Sequence, residues 1–362
     1  ALVVALTSQV FNWLEDMKKF AGYLGALAIA GTKQERAELL QDISKQDVVI
    51  TTYNMLVRDM ELYSEKFFSY CFIDEAQHIK NPTTQKAQGV KEIQAGGYFA
   101  LTGTPIENTL TELWSIFDFI MPGYLYGHEK FKRRFETPIV RANDETASED
   151  LYRHISPFIL RRLKKDVLSE LPEKLERRML NEMTEHQSKV YDAYFVQAQK
   201  ELAAELKKNG FEKSRIKILA MLTRLRQIAC DPAIFLEDYT GGSGKLDMLE
   251  EIVAEAISGG HRILIFSQFT QMLQRIGQRL SQMEVKYYYL DGSTKAQERI
   301  SLVKNFNENR ENTSVFLLSL KAGGTGLNLT GADMVINYDP WWNPAVEDQA
   351  ADRAYRIGQE KN

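Results

Sequence analysis

Asp74 and Glu75 close the apolar run Tyr70-Cys71-Phe72-Ile73, and far along the chain Arg353 and Arg356 stand three apart within Gln349–Gln359. Paired carboxylates where a buried strand ends can hold a divalent cation and orient an attacking water. Arginines at that spacing share one face of a helix and can neutralise charge on a transferring phosphoryl group. Acids in one lobe and arginines in another would couple hydrolysis to lobe closure. Each half also has an ordinary meaning. Acids favour helix starts, so an acidic pair by itself reads most simply as a cap. The two arginines could also form surface ion pairs with Asp348, Asp352 or Glu360.

Further segments could carry chemistry. Leu101–Asn108 (L-T-G-T-P-I-E-N) is a strand-to-helix junction, where Gly103 permits a tight turn and the threonines, Thr102 among them, can hydrogen-bond neighbouring carboxylates, or it is an ordinary capped turn. Ser319–Leu329 (S-L-K-A-G-G-T-G-L-N-L) sets Gly323, Gly324 and Gly326 after an apolar strand, freeing amides to meet phosphate oxygens. In Asp339–Pro344 (D-P-W-W-N-P) two tryptophans sit between prolines in a stiff loop. Stacking on nucleic acid suits them, as does a plug in the core, and the expectation is one buried and one facing a ligand. Basic runs occur at Lys130–Arg134, Arg161–Lys165 and Arg177-Arg178. The first reads as a solvated helix face, whereas Arg161 and Arg162 are better placed to track phosphates. Gly241-Gly242-Ser243-Gly244-Lys245-Leu246 imitates a phosphate-binding loop and is rejected, because Tyr239 and Leu246 replace the required glycine and hydroxyl.

These residues need two scaffolds. The 362 residues are enough for two domains with cores of their own. A composition of 44% hydrophobic and 26% charged residues is that of a globular protein, and no run reaches the roughly 18 apolar residues of a membrane span. The apolar start, Ala1–Leu6, reads as a strand. Cys71 and Cys230, with no Cys/His cluster, indicate neither disulfides nor zinc and fit a reducing compartment. A net charge of −4 requires any nucleic acid to be met by local basic patches.

The pattern predicts strands at Leu2–Leu6, Gly25–Ala30, Asp47–Thr52, Tyr70–Asp74 and Tyr98–Thr102, with helices such as Ser8–Phe20 and Lys33–Ile43 between them. That is a doubly wound parallel α/β lobe, with its chemistry at the carboxyl ends of strands. From Glu112 to Glu237 the period becomes helical, and Asp238–Gly244 is a loop. The α/β rhythm then returns, with strands at Arg262–Phe266, Val285–Leu290, Thr313–Leu318 and Met334–Tyr338. The helices predicted between them are Lys245–Ile257, Thr270–Met283, Lys295–Asn307 and Pro344–Ile357.

Taken in order, the segments resemble the SWI/SNF-type ATPases of helicase superfamily 2, across nearly the whole chain. Leu2–Trp13 is similar to motif Ia, with Leu6 where proline is usual. Asp74–Asn81 is similar to motif II in its D-E-A-Q form, Leu101–Asn108 to motif III and Ile263–Gln268 to motif IV. Ser319–Leu329 and the D-P-W-W-N-P loop are similar to motif V and its extension, and Gln349–Gln359 to motif VI. Pro157–Lys174 and Leu222–Pro232 resemble further family blocks. Many relatives carry D-W-N-P, so Trp341 replaces an acid; with D-E-A-Q this points to the prokaryotic branch.

The resemblance implies two RecA-like parallel-sheet lobes with helical insertions. Lobe 1 with a helical protrusion would span 1–155, the hinge and the protrusion of lobe 2 would span 156–240, and lobe 2 would span 241–362. It implies that Asp74 holds Mg²⁺, mainly through water, and that Glu75 activates a water. Arg353 and Arg356 would be arginine fingers. Gln349, Thr102, Gly103 and Gly326 would serve the ATP site. Ser319, Gly323, Gly324, Trp341, Trp342, Arg161 and Arg162 would contact DNA. The implied activity is ATP-driven translocation along duplex DNA, by a monomer, in the cytoplasm of a bacterial-type cell or in a nucleus. A DNA-bound protein such as a polymerase or a nucleosome is the expected cargo. Relatives carry a G-x-G-K-T loop just before motif Ia, whereas Ala1 already lies at motif Ia. The expectation is therefore a piece of a longer ATPase that binds ATP poorly alone. A catalytically silent DNA or protein clamp is one alternative. A DEAD-box-like RNA helicase is another, although D-R-A-Y-R-I-G-Q departs from its H-R-x-G-R-x-x-R.

Overall fold

The computed structural model describes residues 1–7, 9–103, 109–162, 174–308, 313–323 and 327–355. The chain forms two compact units, Ala1–Val167 and Leu168–Asn362. The division falls later than the lobe boundary read from the sequence at residue 155.

The first unit is built on strands β1 (Leu2–Ala5), β2 (Ala26–Ala28), β3 (Val48–Thr52), β5 (Cys71–Ile73) and β7 (Tyr98–Ala100). A separate two-stranded pairing of β4 (Phe67–Phe68) with β6 (Gln94–Ala95) has no counterpart in the sequence pattern. The main sheet is parallel throughout, in the order β2-β3-β1-β5-β7. Central strands covered on both faces read as unbroken apolar runs, and β1 alternates Leu2 and Val4 into one core with Val3 and Ala5 into the other. The order reverses at β1, which lies between β3 and β5. Such a switch point opens a crevice at the carboxyl ends of the strands, and Asp74 follows β5 there.

Helices connect the strands as the periodicity predicts, although they are shorter at their ends: Val10–Phe20 and Lys33–Gln41. The second begins at a capping box in which Thr32 and Glu35 satisfy each other's amides. The region without strand alternation is helical, with Leu110–Ile120, Thr137–Ala142 and Glu145–Ile155. Leu113, Trp114, Phe117, Phe131, Phe135 and Leu151 give this part its own small core.

The second unit holds a parallel sheet of β8 (Ile263–Ser267), β9 (Tyr287–Leu290), β10 (Val315–Ser319) and β11 (Met334–Asn337), in the order β11-β8-β10-β9. Ile263 and Ile265 face one core, and Leu264 and Phe266 the other. The helical period read between Glu112 and Glu237 includes one long span, Glu185–Cys230, broken at Gly210, whose φ of 71° lies in the left-handed region that glycine tolerates. Gln187 ties the start of this span to its end by donating Nε2 to the Ile228 carbonyl at 2.8 Å. The rejected phosphate-loop mimic is a helix start: Ser243 Oγ accepts the Leu246 amide as a cap.

Candidate functional site

The acidic pair is held by the fold on several sides. The Asp74 amide donates to the Val4 carbonyl at 2.8 Å, which extends the β1–β5 ladder by one rung. Its own carbonyl accepts the buried Tyr53 hydroxyl at 2.7 Å. Burial, and next the charge of Asp74, push the Tyr53 phenol well above its ordinary range, so it stays a donor. Asp74 Oδ1 accepts the Glu75 amide and Oδ2 accepts the Trp13 indole N–H, both at 2.9 Å.

Glu75 has φ 50° and ψ 57°. A left-handed conformation is strained for a residue with a Cβ, and such strain persists where the surroundings over-determine it. Here the surroundings are polar. Gln77 Nε2 donates to Glu75 Oε2 at 2.8 Å, and Gln9 Nε2 donates to Oε1 at 3.3 Å. Gln77 in turn accepts the Thr102 hydroxyl on Oε1 at 2.9 Å. A hydrogen-bonded chain thus runs Thr102–Gln77–Glu75 and joins two segments that are apart in sequence. Thr102 thus reaches the amide that holds the carboxylate. Gly103 follows, and a Cβ built on it would meet nothing within 4 Å. Asp74, Glu75, Gln77 and Thr102 are all half-buried, so the cluster stays open to a ligand.

The donor set fits a magnesium ion held largely through water. No group of three or more His, Cys, Asp or Glu among the described residues could cage a metal. Each Asp74 oxygen accepts one of these N–H groups, and a carboxylate offers about four acceptor sites, so contact with an ion through water is compatible with this set.

In the second unit, Ser319 ends β10 and is buried, and its Oγ accepts the Ala322 amide at 3.2 Å. It caps a helical turn, Leu320–Gly323. Gly324 and Gly326 lie outside the described residues. The Leu329 amide donates to the Arg353 carbonyl at 2.9 Å, so the end of this segment docks on the chain that carries the arginines. The helix expected over Pro344–Ile357 is Pro344–Ala351. Half-buried Gln349 lies on it, whereas the buried Arg353 stands in the turn beyond it. A shared helical face for Arg353 and Arg356 is therefore corrected for Arg353, and Arg356 lies outside the described residues.

The two tryptophans differ in exposure. Trp341 is half-buried and packs on the core with Val346, whereas Trp342 is 57% exposed. Arg226 holds this loop: its guanidinium donates to the Pro340 carbonyl and lies 5.5 Å from the Trp341 ring and 4.8 Å from the Trp342 ring. Asp339 is buried and accepts the Gln268 amide at 3.1 Å, which joins β11 to the end of β8. Burial pushes its pKa up to about 6; Ser267, the Gln268 amide, Arg226 and Lys245 oppose the rise. Arg161 and Arg162 are exposed, at the end of the described part of the first unit.

Trp13, Gln9, Tyr53, Arg226 and Asp339 escaped the sequence reading as individual positions. Their hydrogen-bond partners lie 21 to 114 residues away, and the signal available was that all but Tyr53 fall in segments already singled out.

The family model of the SNF2-related domain matches residues 1–234. The chain belongs to the SNF2 family. The model of the helicase conserved C-terminal domain matches residues 244–358. The boundary between these two SNF2 segments falls after the long helix, whereas the compact units divide before it. Contacts of Glu185–Cys230 with the Pro232–Ile234 turn and with the helix Gly244–Ser258 account for the difference. An uncharacterized ATP-dependent helicase of Mycoplasma pneumoniae is 35% identical over 100% of this chain and 34% of its own length. The ISWI chromatin-remodeling complex ATPase of Saccharomyces cerevisiae is 32% identical over 99% of this chain and 33% of its own. The SWI2/SNF2 ATPase core of Sulfolobus solfataricus, solved in complex with dsDNA, is 36% identical over 100% of this chain and 75% of that one, with a TM-score of 0.47. The chain spans about a third of the length of these two curated relatives. Among the described residues, no helix is long and apolar enough to cross a membrane.

Proposed function

We propose that this chain is the motor portion of an ATP-hydrolysing translocase acting on duplex DNA. The observation that carries the reading is the Thr102–Gln77–Glu75 relay beside Asp74, at the switch point of a parallel sheet. Asp74 holds the hydrated Mg²⁺ that accompanies ATP; bound there, the ion would neutralise charge developing on the phosphates. Glu75, fixed on both oxygens, orients the attacking water. Thr102 and Gly103 report the state of that carboxylate to the chain beyond β7. Gln349 and Gly326 serve the nucleotide, and Arg353 and Arg356 supply positive charge to the transferring phosphoryl group.

Trp342, exposed and backed by Arg226, stacks or wedges against DNA, and Trp341 anchors it from the core. Gly323 and Gly324 give the DNA close access to backbone, Ser319 shapes that turn from within, and Arg161 and Arg162 contact phosphates. A DNA-bound protein is the cargo, and the motor acts as a monomer.

The test is ATP turnover by the protein that carries this chain, with and without duplex DNA. Glu75→Gln should abolish stimulated turnover. Trp342→Ala should raise the DNA concentration needed for half-maximal stimulation while leaving basal turnover intact. Better stimulation by single-stranded RNA than by duplex DNA would identify an RNA helicase, and DNA binding without hydrolysis a clamp; either result refutes the proposal.

A further inference from the structure

One short stretch of chain reaches both carboxylates of the acidic pair. Gln9 immediately precedes the helix Val10–Phe20 and bonds Glu75, and Trp13, four residues on, bonds Asp74. Residues four apart lie on one face of a helical turn, so both donors point to the same side. An indole N–H can only donate, and a donor facing an ionised carboxylate makes a stronger bond than one facing a carbonyl. The ring is rigid and half-buried, packed on the core formed with Val3, Val10 and Ile50. Asp74 Oδ1 is turned toward the Glu75 amide, and the indole meets the other oxygen, Oδ2.

We propose that Trp13 is a positioning residue for Asp74, assisted by Gln9 at Glu75, and that the helix Val10–Phe20 is thereby linked to the acidic pair. The proposal rests on the reading of that pair as the hydrolytic centre. The indole holds one rotamer of the Asp74 carboxylate, so the water that an ion brings meets an oxygen already aimed. A displacement of the helix is carried to both carboxylates at once.

The test has two arms. In the first, the four tryptophan indole N–H signals of the chain are followed by ¹⁵N–¹H NMR, with that of Trp13 identified by its loss in Trp13→Phe. Asp74→Asn should shift the Trp13 signal and speed its exchange with water, leaving the other three in place. An unmoved Trp13 signal overturns the proposal whatever the enzyme does.

In the second arm, Trp13→Phe should lower kcat of DNA-stimulated hydrolysis roughly tenfold and leave KM for ATP within about twofold. The Mg²⁺ concentration for half-maximal turnover should rise. An analogue carrying sulfur in place of the indole N–H keeps the ring's shape and should reproduce the loss; wild-type turnover with it would assign the loss to packing and overturn the proposal. Unchanged kcat and Mg²⁺ requirement in Trp13→Phe, beside an inactive Asp74→Asn, would overturn the positioning role alone. An active Asp74→Asn would overturn the reading of the pair as the hydrolytic centre, and the proposal with it.

Discussion

Asp339→Asn removes a carboxylate that the second unit keeps almost entirely out of water, at 4% exposure. In the unfolded chain an aspartate ionises near 3.9, whereas burial raises this one to about 6. Between those values the folded state holds the proton more tightly than the unfolded state. Stability therefore falls as pH rises through that window, and the cost is constant above it. At about 1.4 kcal/mol per pH unit, the charged form costs on the order of 3 kcal/mol at pH 7. Asparagine keeps an oxygen for the Gln268 amide and never ionises. The variant should therefore match the wild type near pH 4, exceed it increasingly up to about pH 6 and hold that lead above it. Thermal unfolding monitored from pH 4 to 8 checks this, with about 2–4 °C expected per kcal/mol for a unit of this size. A variant less stable than the wild type at pH 7, or a difference that does not change with pH, would refute the argument.

Three further outcomes follow from other contacts. Arg36 and Asp59 form a buried bidentate pair at 2.5 and 2.8 Å; Asp59→Ala should destabilise the first unit by about 3–5 kcal/mol in urea unfolding, and Arg36→Met with Asp59→Leu by much less. A Cβ on Gly277 would lie 2.6 Å from the Tyr287 hydroxyl, so Gly277→Ala should cost about 1–3 kcal/mol, partly recovered when Tyr287→Phe is added. Thr102→Val keeps the side-chain shape and removes the donor to Gln77; stimulated ATP turnover should fall roughly tenfold with the melting temperature unchanged. Full activity in that variant would show that the relay is idle.

Sheet strands and connecting helices were legible because their signals are local. Short continuous apolar runs such as Ile263–Phe266, rich in β-branched and aromatic residues, read as strands buried on both faces, and caps such as Thr32 with Glu35 mark helix starts within four residues. The minor pairing of Phe67–Phe68 with Gln94–Ala95 was not legible, since two residues carry no period. The Pro344–Ala351 helix was read too long because its periodicity continues past Ala351, while the Leu329 amide takes the Arg353 carbonyl into a turn.

For the site, the sequence alone determined which residue types exist to do the chemistry: the acid pair after an apolar strand, the threonine and glycine at a second strand end, the paired tryptophans, and the arginines. Only the tertiary structure decided what holds them. A hydrogen bond between Trp13 and Asp74, or between Thr102 and Gln77, leaves no periodic trace, because it depends on which strands lie side by side and not on spacing along the chain. The rise in the pKa of Asp339 likewise belongs to the packing, since it comes from the water that the surrounding side chains exclude.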